Sequence, residues 1–565
     1  MKPTTLRGLH AVSIGFSLST GVHASFQPAL PPDVITTWTP YADTGSVPPL
    51  KHSALGTVTS FTGFEAPLIF GDLALGGTTQ LAFKGYMARV GTVGISNDEA
   101  IWSNVDPLSS GGGGSTIWMV AQESDFVGTR QLGNSGQMKI RSLQTTTYGG
   151  TLFTTNTNLD ASPNFSVYEG GAFTGLAGAG LPGFTNGGLA VAAAGRLAVW
   201  TTGGGSDGIR AWDVTLASPH TVTPAVPAAV HWTSPTGNPR VQCSPAISFY
   251  GGVALRARSS PSSGLPPAQR DFIRAVPMNP VGLFPTSYTV VRGGDPAPTG
   301  EIFGTFHPVL MAIAGGPNIP PTVAWQMSTM NAGEGSTQGS GIPYGSPVPG
   351  SNSLWCWRQG SIAQIARAGQ AAPEITGRTF KSFYALHLAD DDNSWPDSLA
   401  FYGAILDNGK YAIYMRRVVT VSGVTTLTPD QLIATDSPGA PGAMDVPAIY
   451  GPVGTKYPLA ALYPWFSVDM FGNVLMKATL SGAPASQKQC LISSKRGTDG
   501  HGLRMRAQSG GSVVLPTLTH GPQSITNFRI NAHEQGTMGR GQSIFEQTVS
   551  TLVSFPGGSG IYTGY

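Results

Sequence analysis

Short stretches of alternating apolar and polar residues, each preceded by a turn rich in Gly, Asn or Asp, recur along the chain. Three clear copies occupy residues 80–85, 322–327 and 473–478. Alternation with a period of two puts one set of side chains on a buried face and the other toward a neighbour or solvent. The pattern therefore predicts many short, half-buried β-strands.

The spacing of these copies indicates internal repeats. One anchor residue per copy falls at Leu81, Met138, Leu197, Val253, Val323, Leu399, Val474 and Thr537, and successive anchors are 56 to 76 residues apart. Each interval holds about four strands of five to six residues with their turns. This spacing is too short for a row of β-sandwiches, which need about 100 residues per unit. It is also longer than the typical solenoid repeat of about 20–30 residues.

A repeat of this kind cannot bury its apolar face alone, so neighbouring units must stack. Radial closure of the stack leaves only short, protected sheet edges. Eight copies on one chain therefore predict an all-β fold, a single β-propeller of seven or eight blades. The longest intervals fall together, which predicts insertions in the 288–480 region.

A second element, a strand running into a Gly/Asp/Pro turn, recurs between the later anchors, at residues 291–298, 365–373, 433–441 and, in degenerate form, 505–510. The combined "ARxGDxAP … turn … VAFxA" unit resembles the tandem repeats of uncharacterised secreted bacterial proteins that are predicted to form β-propellers. The resemblance covers roughly residues 40–555 and is best between 288 and 480. It implies a secreted propeller and supplies no catalytic residues.

Composition supports a turn-rich β protein. The chain of 565 residues has 76 glycines and 45 prolines, and only 11% of its residues are charged, against about 25% in an ordinary soluble domain. This excludes a coiled coil and a charged disordered tail. A net charge of +2 does not indicate the basic surface that nucleic-acid binding requires.

The N-terminus reads as a secretory signal peptide. Lys2 and Arg7 form a positive start, an apolar stretch follows, and residues 22–24 form a small-residue cleavage site. We therefore expect a signal peptide at 1–24, a propeller domain at 25–565, and a secreted, periplasmic or cell-surface location. Later apolar runs fall short of the ~18 residues of a membrane span, so no transmembrane segment is predicted.

Three cysteines, Cys243, Cys356 and Cys490, lie far apart without CxxC pairing. A zinc site is therefore not expected, and at most one disulfide can form. The favoured interpretation is three buried small apolar residues.

Tryptophans and one acidic segment are the candidate binding residues. Exposed aromatic faces can stack on sugar rings and also dominate protein interfaces, which suggests ligand binding by residues in or beside the longer units: Trp325, Trp355, Trp357 and Trp395. Trp465 lies beside another such unit. The competing interpretation is that these residues pack between blades.

Asp390, Asp392 and Asn393 could offer oxygen ligands to calcium, although the complete calcium-loop motif is absent. The alternative is a polar hairpin turn. No other cofactor is expected.

Motifs for catalysis are weak. His533-Glu534 lacks the second His of a zincin motif, and the G-x-S-x-G match at 204–208 precedes a strand pattern where a nucleophile elbow needs a helix. No catalytic residue is assigned. We therefore expect a binding or surface-structural protein whose partner is an extracellular glycan, a protein or another copy of itself. The alternative is an extracellular glycan hydrolase or lyase with a carboxylate pair at the propeller channel.

Overall fold

A computed structural model of the chain describes residues 34–49, 59–71, 79–89, 98–104, 116–123, 125–127, 130–133, 142–145, 151–157, 160–169, 172–175, 189–191, 196–201, 208–213, 222–224, 230–231, 246–248, 253–259, 271–276, 288–316, 319–330, 352–389, 398–438, 440, 445–450, 454–469, 471–494, 503–531, 543–545 and 548–565. Across these residues the regular structure is β-strand, apart from one 3-10 turn at Ala485–Gln487. The chain is therefore all-β, as the alternation predicted. No helix within these ranges is long and apolar enough to cross a membrane.

The strands form successive antiparallel sheets, numbered here I to VIII in chain order. The first strand is β1 (Trp38–Asp43). Sheet I contains β2 (Phe61–Phe64), β3 (Leu68–Gly71), β4 (Thr79–Met87), β5 (Glu99–Ser103) and β6 (Trp118–Gln122), and the small hairpin of β7 (Phe126–Val127) and β8 (Arg130–Gln131) follows. Sheet II contains β9 (Ser142–Thr145), β10 (Thr151–Thr157), β11 (Asp160–Glu169) and β12 (Ala172–Gly175).

Sheet III contains β13 (Leu189–Val191), β14 (Arg196–Thr201), β15 (Gly208–Asp213) and β16 (Val222–Pro224). Sheet IV contains β17 (Val230–His231), β18 (Ala246–Ile247), β19 (Val253–Ser259), β20 (Asp271–Val276) and β21 (Tyr288–Arg292). Sheet V contains β22 (Ile302–Gly316), β23 (Ile319–Met330), β24 (Asn352–Arg358) and β25 (Ser361–Arg367).

Sheet VI contains β26 (Phe380–Ala389), β27 (Ser398–Leu406), β28 (Tyr411–Val421), β29 (Val424–Leu427) and β30 (Gln431–Thr435). Sheet VII contains β31 (Asp445–Pro447), β32 (Lys456–Val468), β33 (Val474–Leu480), β34 (Gln489–Ser494) and β35 (Leu503–Gln508). A two-stranded sheet of β36 (Gly510–Leu515) and β37 (Gln523–Ile525) precedes sheet VIII, which contains β38 (Asn527–Arg529), β39 (Ile544–Phe545), β40 (Thr548–Phe555) and β41 (Gly558–Gly564).

The predicted anchors occupy equivalent places in these sheets. Six of them lie in the strand that follows the opening strand or strands of its sheet: Leu81 in β4, Leu197 in β14, Val253 in β19, Val323 in β23, Leu399 in β27 and Val474 in β33. Met138 and Thr537 lie outside the described residues. The corresponding strands of sheets II and VIII are β10 and β40, which the weaker local pattern did not reveal.

The Gly/Asp/Pro turn is also a structural repeat. The backbone N–H of Gly294 donates to the carbonyl of Phe303 at 2.7 Å, and that of Gly369 donates to the carbonyl of Phe380 at 2.7 Å. Both glycines have a positive φ, 82° and 83°, which side-chain-bearing residues rarely adopt. In each case the turn after the last strand of one sheet is thereby bound to the first strand of the next.

An early copy of this turn was missed by the sequence analysis. The N–H of Gly45, with φ 91°, donates to the carbonyl of Phe61 at 2.8 Å, the same connection as in the later copies. The segment reads Thr44-Gly45-Ser46-Val47, so the Asp and Ala of the later motif are replaced. The backbone geometry is retained where the side chains have changed.

Apolar clusters lie between successive sheets. One joins Ala42 and Ile561 of the β1–β41 pair to Phe61 and Trp102 of sheet I. Others lie between sheets I and II, between IV and V, between V, VI and VII, and between VII and VIII. At these junctions the apolar face of one sheet is covered by the next sheet, the arrangement expected of stacked repeats.

The opening strands also lie side by side. Contacts join β3 to β9, β9 to β13, β13 to β18, β18 to β22, β22 to β26 and β26 to β32, while β39 of sheet VIII contacts β3. The first strand, β1, completes sheet VIII by pairing with β41, so that Thr39 lies opposite Thr563. The two ends of the described chain therefore meet in one sheet.

Candidate functional site

Three of the four candidate tryptophans are core residues. Trp325, Trp355 and Trp357 are buried in the cluster between sheets IV and V, and the edge of Phe303 packs on Trp355 with ring centroids 5.0 Å apart. The expectation that they present faces to a ligand is wrong, because they alternate onto the side of sheet V that sheet IV covers. The competing interpretation, packing between sheets, is confirmed for these three.

The remaining candidates lie outside the described residues. Trp395 and the acidic residues Asp390, Asp392 and Asn393 fall in the segment 390–397, so the calcium site stays a prediction. Elsewhere, within the ranges that the structure describes, no group of three or more His, Cys, Asp or Glu side chains could hold a metal ion.

Two cysteines are buried thiols, as favoured from the sequence. Cys356 and Cys490 are not disulfide-bonded, and burial raises the pKa of each thiol to about 12. They are therefore apolar core residues. Cys243 lies outside the described residues.

A bulge near the middle of the opening strand recurs in several sheets, and its chemistry differs from sheet to sheet. In sheet VI the bulged residue is Tyr384, between the pairs Phe383–Ala404 and Ala385–Gly403. Its ring fills the space where a side chain at Gly403 would project. This bulge is closed by an aromatic ring in the core.

In sheet I charged side chains lie at the break between β2 and β3, in the middle of the opening strands. The ammonium of Lys84 lies 3.0 Å from a carboxylate oxygen of Glu99 and 3.4 Å from one of Glu65, and the Tyr86 hydroxyl donates to Glu65 at 2.9 Å. Burial alone would lower the pKa of Lys84, but the two carboxylates outweigh it and raise that pKa. The lysine is thus fully neutralised by its own sheet.

Next to these ion pairs lies a third carboxyl group, that of Glu123. It is buried, and one of its oxygens has no hydrogen-bond partner. Burial, together with the negative charges of Glu99 and Asp98, raises the pKa of Glu123 to about 7. The group is therefore largely protonated below neutral pH.

In sheet VII the bulge is partly exposed to solvent. Between the pairs Leu462–Ala478 and Phe466–Met476, three residues of β32 lie opposite the single residue Lys477 of β33. These three are Tyr463, Pro464 and Trp465. Because proline cannot donate to the strand ladder, it favours such a bulge.

The bulge of sheet VII presents an aromatic pair to solvent. The rings of Tyr463 and Trp465 lie nearly parallel, with centroids 6.4 Å apart and an interplanar angle of 26°. Trp465 is 42% exposed, unlike the buried tryptophans of sheet V. The ammonium of Lys477 lies 4.4 Å from the centre of the Tyr463 ring, a cation–π distance. We call Tyr463, Trp465 and Lys477 the aromatic platform.

Positive charge at the aromatic platform comes from Lys477 and from Arg529 of the adjacent sheet. Within the described part of the chain no carboxylate pairs with Lys477, and its ammonium group contacts the Tyr463 ring. Burial and the positive charge of Arg529, an exposed residue of β38 in the adjacent sheet VIII, lower the pKa of Lys477. The arrangement combines an exposed apolar ring with an uncompensated ammonium group.

Comparisons with known proteins assign no family. No protein-family model and no curated protein matches the chain. Among solved structures, an α-L-arabinofuranosidase from Fusarium graminearum, in complex with an iminosugar inhibitor, is similar at 8% identity, with 81% of this chain and 98% of that chain covered and a TM-score of 0.27. A Trypanosoma rangeli sialidase is similar at 10% identity, with coverages of 92% and 86% and a TM-score of 0.26. The tail fiber of a Staphylococcus aureus phage is similar at 10% identity, with coverages of 79% and 95% and a TM-score of 0.18. Values this low support no assignment of activity.

Sequence reasoning noted Trp465 but did not select it. The signal that distinguishes it is local: a proline flanked by two aromatic residues inside an alternating strand pattern. Proline in the middle of a strand marks a bulge, and a bulge re-aims side chains that would otherwise alternate into the core. Trp325 and Trp355 lack such a neighbour, and they are buried.

Proposed function

We propose that the protein is an exported β-propeller of eight blades that binds carbohydrate at the aromatic platform of sheet VII. Three features support the ring: successive sheets of four or five strands, opening strands that lie side by side, and a sheet shared by β1 and β41. A ring of this kind places the opening strands around a central channel. The bulge of β32 would then project toward that channel.

The observation that carries the binding function is the exposed Trp465 beside Tyr463. A sugar ring offers a C–H face that packs on an indole while its hydroxyl groups remain hydrated, and aromatic side chains combine apolar faces with polar edges. Trp465 is the more exposed ring of the stacked pair, so it is the ring on which we expect a sugar to pack. Export, inferred from residues 1–24, would place the site where extracellular glycans are met.

The experiment is a glycan array probed with the mature protein, followed by calorimetric titration of the best ligand. We expect Trp465→Ala to weaken binding at least tenfold, and Tyr565→Ala, which removes another exposed aromatic residue, to leave it unchanged. Absence of binding to any glycan, or equal binding by Trp465→Ala, would overturn the proposal. Thermal unfolding of both variants confirms that each is folded.

Incubation of the protein with the glycans that it binds tests the hydrolase alternative. A hydrolase requires two carboxyl groups placed about 5–10 Å apart around the scissile bond. One pair of carboxylates among the described residues, Glu65 and Glu99, is bound to Lys84, which favours a structural role for that pair. Release of new reducing ends that is lost in Glu65→Gln would instead support hydrolysis.

A further inference from the structure

We infer that the glycan bound at the aromatic platform is acidic, with a carboxylate group that pairs with Lys477. This inference rests on the proposed function and specifies its ligand class. It follows from comparing two lysines that occupy corresponding places in different sheets.

Lys84 and Lys477 each lie three residues after an anchor. Lys477 lies opposite the bulge of β32, and Lys84 lies opposite the break between β2 and β3. Each is directly paired across the sheet with an apolar residue, Ile101 in sheet I and Leu491 in sheet VII. The two residues therefore face the following sheet in the same way. What differs is the chemistry across from them.

Lys84 forms ion pairs within its own sheet, because the break between β2 and β3 supplies Glu65 and the third strand supplies Glu99. At Lys477 the bulge supplies Tyr463 and Trp465 instead, and the third strand supplies Leu491. A half-buried ammonium without a carboxylate costs free energy that an incoming anion can recover. Sheet VII thus presents the cation while omitting the carboxylates that neutralise its counterpart.

The neighbouring sheet adds positive charge. Arg529 of β38 is exposed, and its charge is felt at Lys477. In the described residues no carboxylate pairs with Arg529 either. Lys477 over the Tyr463 ring, with the charge of Arg529 acting on it, matches a sugar that offers a C–H face to Trp465 and a carboxylate to Lys477. A neutral sugar would leave both cations without a counter-charge.

The test is an array on which each acidic glycan, uronic or sialic, stands beside its carboxyl-reduced counterpart. We expect the wild-type protein to bind at least one acid at least tenfold more tightly than the reduced form, with the preference decreasing as salt rises from 50 to 500 mM, because screening weakens charge pairing. Lys477→Met keeps an apolar stem over Tyr463 and should bind both forms equally. Lys456→Met, at an exposed lysine of the neighbouring strand β32, should retain the preference.

The outcomes separate this inference from the proposed function. Equal binding of acid and reduced forms by the wild type, or binding of neutral glycans alone, would overturn the acidic ligand and leave carbohydrate binding intact. No binding to either form would overturn both. A preference that survives in Lys477→Met would show that the carboxylate is bound elsewhere, and would also overturn the inference.

Discussion

Replacement of Asp43 tests how the two ends of the chain are held together. Asp43 closes β1 and is fully buried. One of its carboxylate oxygens accepts the N–H groups of Leu518 and Thr519 at 2.6 and 3.1 Å, and the other accepts the hydroxyl of Thr519 at 3.0 Å. A single side chain thereby connects the first strand to a loop 475 residues away in sequence.

The expected magnitude follows from these three bonds. A hydrogen bond to a charged group contributes about 1.5–3 kcal/mol net. The donors lie at an exposed loop, with Leu518 half exposed, so water can solvate them after truncation. We therefore expect Asp43→Ala to lower the free energy of unfolding by about 2–4 kcal/mol, less than the sum of three bonds. Asp43→Asn, which keeps one acceptor oxygen, should lose roughly half as much.

Urea unfolding monitored by tryptophan fluorescence measures the free energy of unfolding, with the midpoint and slope compared among variants. The control is Asp407→Ala, which removes an exposed carboxylate that lies 3.8 Å from Arg378. A pair of this kind contributes about 0–1 kcal/mol, so the control should remain close to wild type. If Asp43→Ala were as stable as the control, the loop would not be held by this carboxylate and the reasoning would be refuted.

Three further predictions concern the interior. Gly403→Ala places a methyl group against the tyrosine ring of the sheet VI bulge, and differential scanning calorimetry should show a loss of about 1–3 kcal/mol, the usual cost of overpacking; an unchanged melting temperature would contradict it. Because burial raises the pKa of Glu123 to about 7 from the 4.5 of an unperturbed glutamate, the native state holds a proton that the unfolded chain has released. Stability should therefore fall as pH rises from 4.5 to 7, and Glu123→Gln should flatten that slope in melts at pH 5 and 8; an equal slope in both proteins would refute it. In a Cys243→Ser background, Cys356 and Cys490 should resist a thiol reagent at pH 8 in the native protein and react after denaturation, because both are buried with pKa values of about 12; rapid native labelling would contradict this.

The strand repeat could be predicted from the sequence because it is a local property. Alternation around Leu81, Leu197, Val323 and Val474 reports a strand with one covered face, and all four lie in equivalent strands. The copies around Met138 and Thr537 contain fewer apolar residues than the other copies. In those sheets β10 and β40 occupy the equivalent place. There the pairing with neighbouring strands, which sequence does not display, determines the register.

The binding residues could not be predicted from residue type. Trp325 and Trp465 both lie in alternating strands beside longer units, yet one is buried and the other is 42% exposed. The difference arises from the bulge at Pro464, which interrupts the alternation, and from which face the adjacent sheet covers. The first cause can be seen in sequence, whereas the second depends on contacts with residues of another sheet that are distant in sequence.

The closing of the chain shows the same division. Pairing of β1 with β41 joins Thr39 to Thr563, and the hydrogen bonds of Asp43 join residues 475 and 476 positions apart. No local pattern encodes these contacts. The repeat count suggested closure, but the strand that completes sheet VIII could be identified only in three dimensions.

A crystal structure of the protein with the acidic glycan selected on the array tests the account most directly. We predict eight sheets around one axis, a sugar ring over Trp465, and its carboxylate within ion-pairing distance of Lys477. Ligand density away from sheet VII, or opening strands that do not share an axis, would contradict the account.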